Sequence, residues 1–332
     1  MIGPLPRTAR VYVAGHRGLV GSAMLRLLKA KGFTCLITRT REDLDLLDAR
    51  AVDDFFSEQR PDIVVLAAAK VGGILANATY PADFLHQNLV IATNVLNAAH
   101  RFGVAKLLNL GSSCIYPRHA QQPLREDALL TGTLEPTNRA YAIAKIAAIE
   151  LCHAYRVQHG CSFISAMPAN LYGPGDDFDL ETSHVLPALI RKAIEARASG
   201  AESITVWGTG TPRREFLYVD DLADACLFLL EHFDEPAPIN VGTGVDLSIR
   251  ELAQVVCEVV GFEGELVFDT SKPDGTPRKL LDVSILTALG WMAKTSLEEG
   301  IRQTISWYRD NSTAHYGSRT SHRSLRRHHG ET

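Results

Sequence analysis

Residues 10–32, RVYVAGHRGLVGSAMLRLLKAKG, decide the fold of this chain. The apolar stretch RVYVA predicts a short buried strand, and SAMLRLLKAKG has the spacing of an amphipathic helix that ends at Gly32. Gly15, Gly18 and Gly21 lie between the two elements. A strand, a glycine-rich turn and a helix in this order are typical of a dinucleotide-binding unit, in which the backbone approaches a pyrophosphate at the helix N-terminus. An ordinary strand-to-helix turn is the alternative for the glycines taken alone.

The same alternation of strands and helices continues to about residue 170. It predicts strands at 33–38, 62–67, 106–110 and 161–167, helices at 49–59, 84–102 and 141–159, and a loop at 71–81. We therefore expect an α/β fold, with a Rossmann-type doubly wound parallel sheet and a smaller α/β substrate-binding domain. The expected Rossmann domain spans 8–170, and the substrate-binding domain is mainly 171–310 and interleaves with the first. Residues 311–332 are polar and basic, and we expect them to be disordered.

The end of the second predicted strand bears on the choice of cofactor. An NAD site usually has an acidic residue there, which binds the ribose 2′-hydroxyl. Here the chain reads Thr38, Arg39, Thr40, Arg41, and Arg17 lies within the glycine loop. Guanidinium groups bind a 2′-phosphate through bidentate hydrogen bonds and a permanent charge. The sequence therefore favours NADP(H); a purely solvent-facing role is the alternative for any one of these arginines.

A second stretch, residues 110–145, carries candidate catalytic groups. LGSSCIYP follows a predicted strand, and PTNRAYAIAK begins a helix that Thr137 or Asn138 would cap. Tyr141 and Lys145 are four residues apart and therefore share one helix face. A neighbouring ammonium group lowers the phenol pKa from its usual value of about 10, and a nearby serine can bind the same substrate oxygen. This set suits proton transfer to an oxygen while a hydride moves at carbon, although the Tyr-x-x-x-Lys spacing alone is often accidental.

The composition excludes several classes of protein. The 332 residues carry a net charge of -4 with a pI near 6.3, which gives no support for a nucleic-acid partner. No apolar run reaches the length of a membrane span, and the N-terminus MIGPLPRTAR lacks a signal-peptide core. Six cysteines without paired metal spacing indicate free thiols in a reducing, cytoplasmic environment and no metal site. They are Cys35, Cys114, Cys152, Cys161, Cys226 and Cys257.

Taken together, the motifs resemble the extended short-chain dehydrogenase/reductases that act on nucleotide sugars. The stretches that carry the resemblance run in order from residue 10 to about 308. They are AGHRGLVGSA, LGSSCIYP, TLEPTNRAYAIAK, NLYGP, SHVLPALIRK, VWGTGTPRREFLYVDD and KPDGTPRKLLD. Two of the motifs, SSCIYP and PTN..YA.AK, resemble those of the enzymes in this family that combine 3,5-epimerase and 4-reductase activity. The resemblance implies a homodimeric enzyme that converts GDP-4-keto-6-deoxy-D-mannose with NADPH to GDP-L-fucose.

The resemblance also implies roles for the catalytic residues. Tyr141 would protonate the C4 oxygen, Lys145 would lower the pKa of that tyrosine and hold the nicotinamide ribose, and Ser112 would hydrogen-bond the same oxygen. Cys114 would be the base at C3 and C5, and His184 the acid that returns protons on the opposite faces. A thiol and an imidazole have pKa values suited to such transfers. Alone, Cys114 is also compatible with a small buried apolar residue, and His184 with a helix-start residue.

The binding residues are implied in the same way. Contacts to the nucleotide sugar are expected from Lys192, Trp207, Arg214 and Asp274. The family more often has arginine at the position of Lys192, and lysine keeps the cation but loses the bidentate fork. The residues expected to contact NADP(H) are Gly15, His16, Arg17, Gly18, Leu19, Val20, Gly21, Arg39, Arg41, Leu110, Gly111, Ser112, Ser113, Lys145, Pro168, Ala169, Asn170, Leu171 and His184.

Two alternatives use the same fold. A 4,6-dehydratase of this superfamily would carry an Asp-Glu pair where this chain has Ser113 and Cys114, and a 4-epimerase recycles a retained NAD and needs no thiol base. A non-catalytic NADP-sensing regulator would typically lack Tyr141 or Lys145, and both are present. Consumption of free NADPH, followed at 340 nm, separates a reductase from the 4-epimerase and from the sensor.

Overall fold

The computed structural model describes residues 3–180 and 182–323. The strands are β1 Arg10–Ala14, β2 Cys35–Ile37, β3 Ile63–Leu66, β4 Lys106–Leu110, β5 Phe163–Pro168, β6 Asn170–Tyr172, β7 Ser203–Trp207, β8 Arg213–Tyr218, β9 Ile239–Val241, β10 Asp246–Ser248, β11 Glu265–Asp269 and β12 Arg278–Lys279. The helices are α1 Leu19–Ala30, α2 Ala49–Gln59, α3 Ile74–Thr79, α4 Pro81–Arg101, α5 Arg139–His159, α6 Val185–Ser199, α7 Val219–His232, α8 Ile249–Val260, α9 Ser284–Ala288 and α10 Leu297–Arg323. Short 3-10 turns lie at Ser113–Ile115, Glu126–Ala128 and Pro136–Asn138.

The main sheet has the strand order β2-β1-β3-β4-β5-β9, and every neighbouring pair is parallel. Its centre is a continuous apolar row, because Val13 pairs with Val65, Val65 with Leu108, and Leu108 with Ile164. All four side chains are buried, as expected for a parallel sheet that is covered on both faces. The predicted Rossmann-type fold class is confirmed.

Helices cover this sheet on both faces. On one face Met24 of α1 and Leu229 of α7 belong to one buried apolar cluster with strand residues such as Val13. On the other face Phe56 of α2 and Val95 of α4 belong to a second cluster. Because all six strands are parallel, their carboxyl ends lie at one edge of the sheet, and crossover connections, usually helices, return the chain to the other edge. Loops that leave this edge form the wall of the site.

The second half of the chain builds a smaller layer around β8 while also completing the main sheet. β8 pairs with β6, β10 and β12, and β7 pairs with β11. Their apolar side chains pack with α6, α8 and α10 in a separate cluster. The strand β9, however, lies beside β5 in the main sheet. This exchange of elements supports our proposal of a cofactor-binding part, 8–170, and a substrate-binding part, mainly 171–310, that interleave.

Glu215 holds the smaller layer to the main sheet. The residue lies on β8 and is 1% exposed. Its carboxylate accepts hydrogen bonds from the backbone N–H groups of Thr243 at 2.6 Å, Gly244 at 2.8 Å and Leu281 at 2.9 Å. Burial raises the pKa of Glu215, and these donors oppose the rise. The carboxylate therefore fixes the strand that carries Arg214 against the loop after β9.

Three local predictions differ from the structure. Residues 71–81, predicted as a loop, contain the six-residue helix α3, which is too short for a clear apolar period. Neither Thr137 nor Asn138 caps the following helix with its side chain in the described structure; the Glu135 carboxylate instead accepts from the Thr137 N–H at 3.5 Å. The helix α10 continues to Arg323, where disorder was expected from residue 311. Helix propagation from its packed first turns accounts for this extension, and residues 324–332 lie outside the described residues.

Candidate active site

A cavity of about 1160 Å³ lies along the carboxyl edge of the main sheet, between the sheet and the smaller layer. Every residue that the sequence predicts for catalysis, cofactor binding or substrate binding lines it. The topology explains this convergence, because the loops after β1, β3, β4 and β5 open at one edge, and α6, β7 and β8 close the other side.

The glycine loop forms the floor at one end of the cavity. Gly15 has φ +82°, and a Cβ at this position would lie 2.7 Å from the backbone nitrogen of Ala68. Only glycine therefore fits between the two segments. Gly18 is the residue before α1, and no side chain in the described ranges caps the first turn of that helix. Its free N–H groups and the positive end of the helix dipole suit a pyrophosphate, so these residues fit a bound dinucleotide.

The predicted arginines lie at the same end of the cavity. The Arg39 guanidinium lies 5.4 Å from the centre of the Phe55 ring. It donates a hydrogen bond to the Thr38 carbonyl oxygen at 2.8 Å. Arg17 lies 3.9 Å from Glu42, and Arg41 lies 4.0 Å from Asp45. These last two pairs are solvent-exposed and therefore weak. A 2′-phosphate could replace either acidic partner at little cost.

Tyr141 and Lys145 face the cavity from the first turns of α5. The Lys145 Nζ donates to the Leu110 carbonyl oxygen at 2.7 Å, which ties the helix to the end of β4. It lies 5.7 Å from the centre of the Tyr141 ring. The ring of Phe84 packs edge-on against Tyr141, with centroids 6.3 Å apart. Ser112 follows β4, and its hydroxyl accepts from the Cys114 N–H at 3.4 Å.

The electrostatics of this group differ from the expectation. We expected Lys145 to lower the pKa of Tyr141; burial instead raises the pKa of Tyr141, and the nearby Cys114 adds to the rise. Burial also lowers the pKa of Lys145 to about 8. Desolvation disfavours the charged form of each group and, at Lys145, outweighs the opposing field of Cys114. The phenol therefore keeps its proton at neutral pH, as a proton donor must.

Cys114 and His184 bring two further titratable groups to the cavity. Burial raises the pKa of the Cys114 thiol, while the Lys279 ammonium and the Ser112 hydroxyl act in the opposite direction. Burial lowers the pKa of His184, and Lys279 lowers it further, against the field of Asp177. Both groups are thus neutral near pH 7. The ammonium of Lys279 favours a thiolate and disfavours an imidazolium.

The predicted sugar-binding residues lie on the opposite wall. The Trp207 ring is 45% exposed, with the Lys192 Nζ 5.6 Å and the Lys272 Nζ 5.3 Å from its centre. Lys192 also donates to the Thr205 carbonyl oxygen at 2.8 Å. An aromatic face between two cations suits a planar base that carries phosphates.

Arg214 and Asp274 complete this wall. Burial lowers the pKa of Arg214 to about 10, with Asp274 and Glu135 opposing the change. The Arg214 guanidinium donates to the Asp274 carbonyl oxygen at 3.4 Å. The Asp274 carboxylate accepts from the Thr209 N–H at 2.8 Å and hydroxyl at 2.9 Å. The Asp274 carboxylate therefore already has two hydrogen-bond donors, both from Thr209, whereas Arg214 keeps its charge in the cavity.

The chain is similar in sequence to a known protein family and to several of its members. The family model described as NAD dependent epimerase/dehydratase matches residues 11–242. GDP-L-fucose synthase 1 from Arabidopsis thaliana is 59% identical over 92% of this chain and 94% of that protein. The chain belongs to the GDP-L-fucose synthase family.

Other members of the family are similar over nearly their whole length. GDP-L-fucose synthase from Escherichia coli (strain K12) is 57% identical over 91% of this chain and 97% of that protein. The crystal structure of a GDP-L-fucose synthetase from Naegleria fowleri bound to NADP has a TM-score of 0.86, with 31% identity over 93% of this chain and 97% of that chain. The predicted family, enzyme class and cofactor class are confirmed.

Several cavity residues of this GDP-L-fucose synthase family member were not predicted. Lys279 pairs in register with Arg214 across β12 and β8, which sets two cations side by side. Glu135 is 7% exposed, lies 3.2 Å from Arg118, and accepts from Thr276 at 3.4 Å. Asn77, on α3, is also buried in the wall. The stretch KPDGTPRKLLD contained a signal for Lys279, a cation within a segment already assigned to the site. The contact of Glu135 with Thr276 joins residues too distant in sequence to be predicted.

None of the helices in the described ranges is long and apolar enough to cross a membrane.

Proposed function

We propose that this protein is a GDP-L-fucose synthase, which epimerises GDP-4-keto-6-deoxy-D-mannose at C3 and C5 and then reduces the C4 ketone. The observation that carries the proposal is the convergence of a thiol, an imidazole, a phenol and an ammonium group in one cavity beside a dinucleotide-binding loop. Reduction alone would need the phenol, but it would not need Cys114 or His184.

Epimerisation uses the acidity of hydrogens next to the ketone. Cys114, as the thiolate, removes the proton from C3 or C5, and the charge moves to the C4 oxygen as an enolate. Ser112 and Tyr141 hydrogen-bond this oxygen where the charge develops. His184, which is neutral in the free site, takes up a proton from solvent to become the imidazolium and delivers it to the opposite face of the same carbon. Burial raises the pKa of the thiol, whereas the field of Lys279 lowers it and so assists ionisation.

Reduction follows at the same carbonyl group. NADPH, when bound on the glycine loop, supplies the hydride to C4. Tyr141 donates its proton to the C4 oxygen, and Ser112 holds that oxygen. Lys145, fixed by Leu110, lies beside the phenolate that forms and stabilises it.

Preference for NADPH over NADH tests the role of the arginines. Combining Arg39→Ala with Arg41→Asp should weaken NADPH binding much more than NADH binding, because only NADPH carries the 2′-phosphate. Loss of charge-assisted hydrogen bonds of this kind costs on the order of 2 kcal/mol or more, or at least about thirtyfold in the NADPH dissociation constant. Fluorescence titration of both cofactors measures the effect. Arg50→Ala, in an exposed pair on α2, is the matched control, and equal losses for both cofactors would show that the arginines do not bind the phosphate.

We further propose a cytoplasmic homodimer. α4 and α5 pack together on one side of the main sheet, and Ile143 and Val157 of α5 are 37% and 72% exposed. A second copy that packs α4 and α5 against its own would cover both side chains. We expect sedimentation velocity to give the mass of a dimer, and a monomer at micromolar concentration would contradict this proposal.

The function itself is tested by product analysis. The purified protein is incubated with GDP-4-keto-6-deoxy-D-mannose and NADPH, and the sugar formed is identified by NMR. GDP-L-fucose with one NADPH oxidised per product is the expected result. Formation of a 4-reduced sugar with unchanged C3 and C5 would limit the protein to a 4-reductase, and no NADPH oxidation would point to the 4-epimerase, 4,6-dehydratase or sensor alternatives.

A further inference from the structure

Asn77 presents a fixed hydrogen-bond acceptor in the cavity wall. The residue lies on α3 and is 7% exposed. Its Nδ2 donates to the Gly72 carbonyl oxygen at 2.8 Å and to the Gly73 carbonyl oxygen at 3.1 Å. These two bonds fix the orientation of the amide, because the reverse orientation would place oxygen against two oxygens. The Oδ1 points away from them and has no hydrogen-bond donor within the described ranges.

A second polar atom lies on the neighbouring segment. The Gly73 N–H donates to the Thr182 carbonyl oxygen at 3.1 Å, which joins the start of α3 to the loop before α6. Ser183 follows in that loop, and among the described residues its buried Oγ has no hydrogen-bond partner. Ser183 lines the cavity and directly precedes His184. The start of α3 is thus hydrogen-bonded to the loop that carries Ser183 and the proposed acid of the epimerisation, His184.

The position of α3 assigns these atoms to the sugar side of the cavity. Ile74 of this helix lies 3.4 Å from where a Cβ on Gly275 would be. Gly275 follows Asp274, in the wall that carries Arg214. α3 also packs against the 3-10 turn Pro136–Asn138, which precedes the helix of Tyr141. The glycine loop lies at the other end of the cavity. A donor that reaches Asn77 therefore comes from the nucleotide sugar or the nicotinamide half of the cofactor rather than from the adenosine half.

We propose that Asn77 Oδ1 accepts a hydrogen bond from a ring hydroxyl of the hexose, with Ser183 Oγ on the adjoining loop, and that this contact selects hydroxylated over deoxygenated sugars. Buried polar atoms in folded proteins are normally paired, so two unpaired atoms in a cavity indicate groups that a ligand satisfies. An amide oxygen accepts and cannot donate, which requires a donor such as a hydroxyl. The hexose carries hydroxyl groups at C2 and C3, close to the reacting ketone. This inference rests on the proposed function and extends it to substrate selection.

The test pairs Asn77→Ala with sugars that lack one hydroxyl group. With the full substrate, Asn77→Ala should lower kcat/KM about tenfold, mainly through KM, since one hydrogen bond to a neutral hydroxyl is lost. For the wild-type enzyme, the C2-deoxy or the C3-deoxy analogue should show a similar loss. With that analogue, Asn77→Ala should cause no further loss, because the two changes remove the same interaction. The analogue that behaves in this way identifies the hydroxyl. The dissociation constant of NADPH, measured by fluorescence titration, should not change.

The control is Thr79→Ala. Thr79 lies on the same short helix, is exposed, and donates to the Leu75 carbonyl oxygen at 2.8 Å, so its loss perturbs α3 outside the cavity. Its kcat/KM should remain near wild type for all three sugars. An equal loss for Asn77→Ala with the full substrate and with both analogues would overturn the proposal, as would weakened NADPH binding.

Three further outcomes are also decisive. If Asn77→Ala does not fold, the wild-type enzyme alone gives the answer, because equal kcat/KM for the full substrate and both analogues would overturn the proposal. If the wild-type enzyme converts the full substrate but Asn77→Ala is unaffected, the selection proposal fails and the proposed function stands. No conversion by the wild-type enzyme would refute the proposed function and this inference with it.

Discussion

Replacing Tyr141 with phenylalanine should lower the turnover of the reduction by roughly 10²- to 10⁴-fold, the usual contribution of a positioned acid or base. The structure adds the reason why the residue acts as an acid. Burial raises the pKa of the phenol, so the group holds a proton at neutral pH and releases it only to an oxygen that gains negative charge during hydride transfer. Phenylalanine keeps the ring that packs against Phe84. NADPH oxidation at 340 nm measures the loss.

The same variant should retain the first half of the reaction. Exchange of the C3 and C5 hydrogens with solvent deuterium should persist in Tyr141→Phe, because Cys114 and His184 remain, but at a reduced rate, because the enolate oxygen keeps Ser112 and loses one of its two hydrogen-bond donors. Tyr155→Phe, on the outer part of the same helix, removes a hydroxyl that bonds Asn97 at 3.3 Å and should leave turnover unchanged. Near-normal NADPH oxidation by Tyr141→Phe would place the proton donor elsewhere.

Replacing Cys114 with serine should have the complementary effect. Deuterium incorporation at C3 and C5, followed by mass spectrometry, should fall by roughly 10²- to 10⁴-fold, because an alcohol is far less acidic than a thiol. The ketone would still lie beside Tyr141, so slow NADPH oxidation should give a product with unchanged configuration at C3 and C5. In the wild-type enzyme, the exchange rate should increase as the pH rises above neutral, because burial raises the pKa of the thiol and the thiolate fraction grows with pH.

The controls for this variant separate chemistry from packing. Cys35→Ser changes an exposed thiol on β2 and should leave both rates unchanged. A wild-type rate of deuterium incorporation in Cys114→Ser would show that the thiol is not the base. Cys114 would then be a buried residue that packs behind Ser112, and the base would have to be sought among the other cavity groups.

The elements with a clear period could be predicted from the sequence. β1, α2 and β4 were predicted with their observed bounds, because β1 and β4 are short apolar runs and α2 has the apolar spacing of a helix. The spacing of Tyr141 and Lys145 correctly placed them on one face, since helical geometry is local. The glycine loop was found for the same reason, as its strand, turn and helix are contiguous.

What could not be predicted depends on residues distant in sequence or on burial. Lys145 was expected to lower the pKa of Tyr141, but desolvation decides the direction, and the sequence does not show how deeply a side chain is buried. Asn77 was missed because α3 is short and because the wall of Asp274 and the loop before His184 come from distant segments. The role of Glu135 similarly depends on Thr276, 141 residues away.

The place of β9 in the main sheet limits how this protein can be divided. A fragment that ends at residue 170 would leave β5 with an open edge, where β9 pairs from Ile239 to Val241. It would also lack α7, whose Leu229 packs in the apolar cluster that α1 shares. Residues 8–170, the proposed cofactor-binding part, therefore cannot be cut out as a module for expression or for grafting. On the ribosome, its sheet stays incomplete until the chain has been synthesised through Val241, about half-way along residues 171–310.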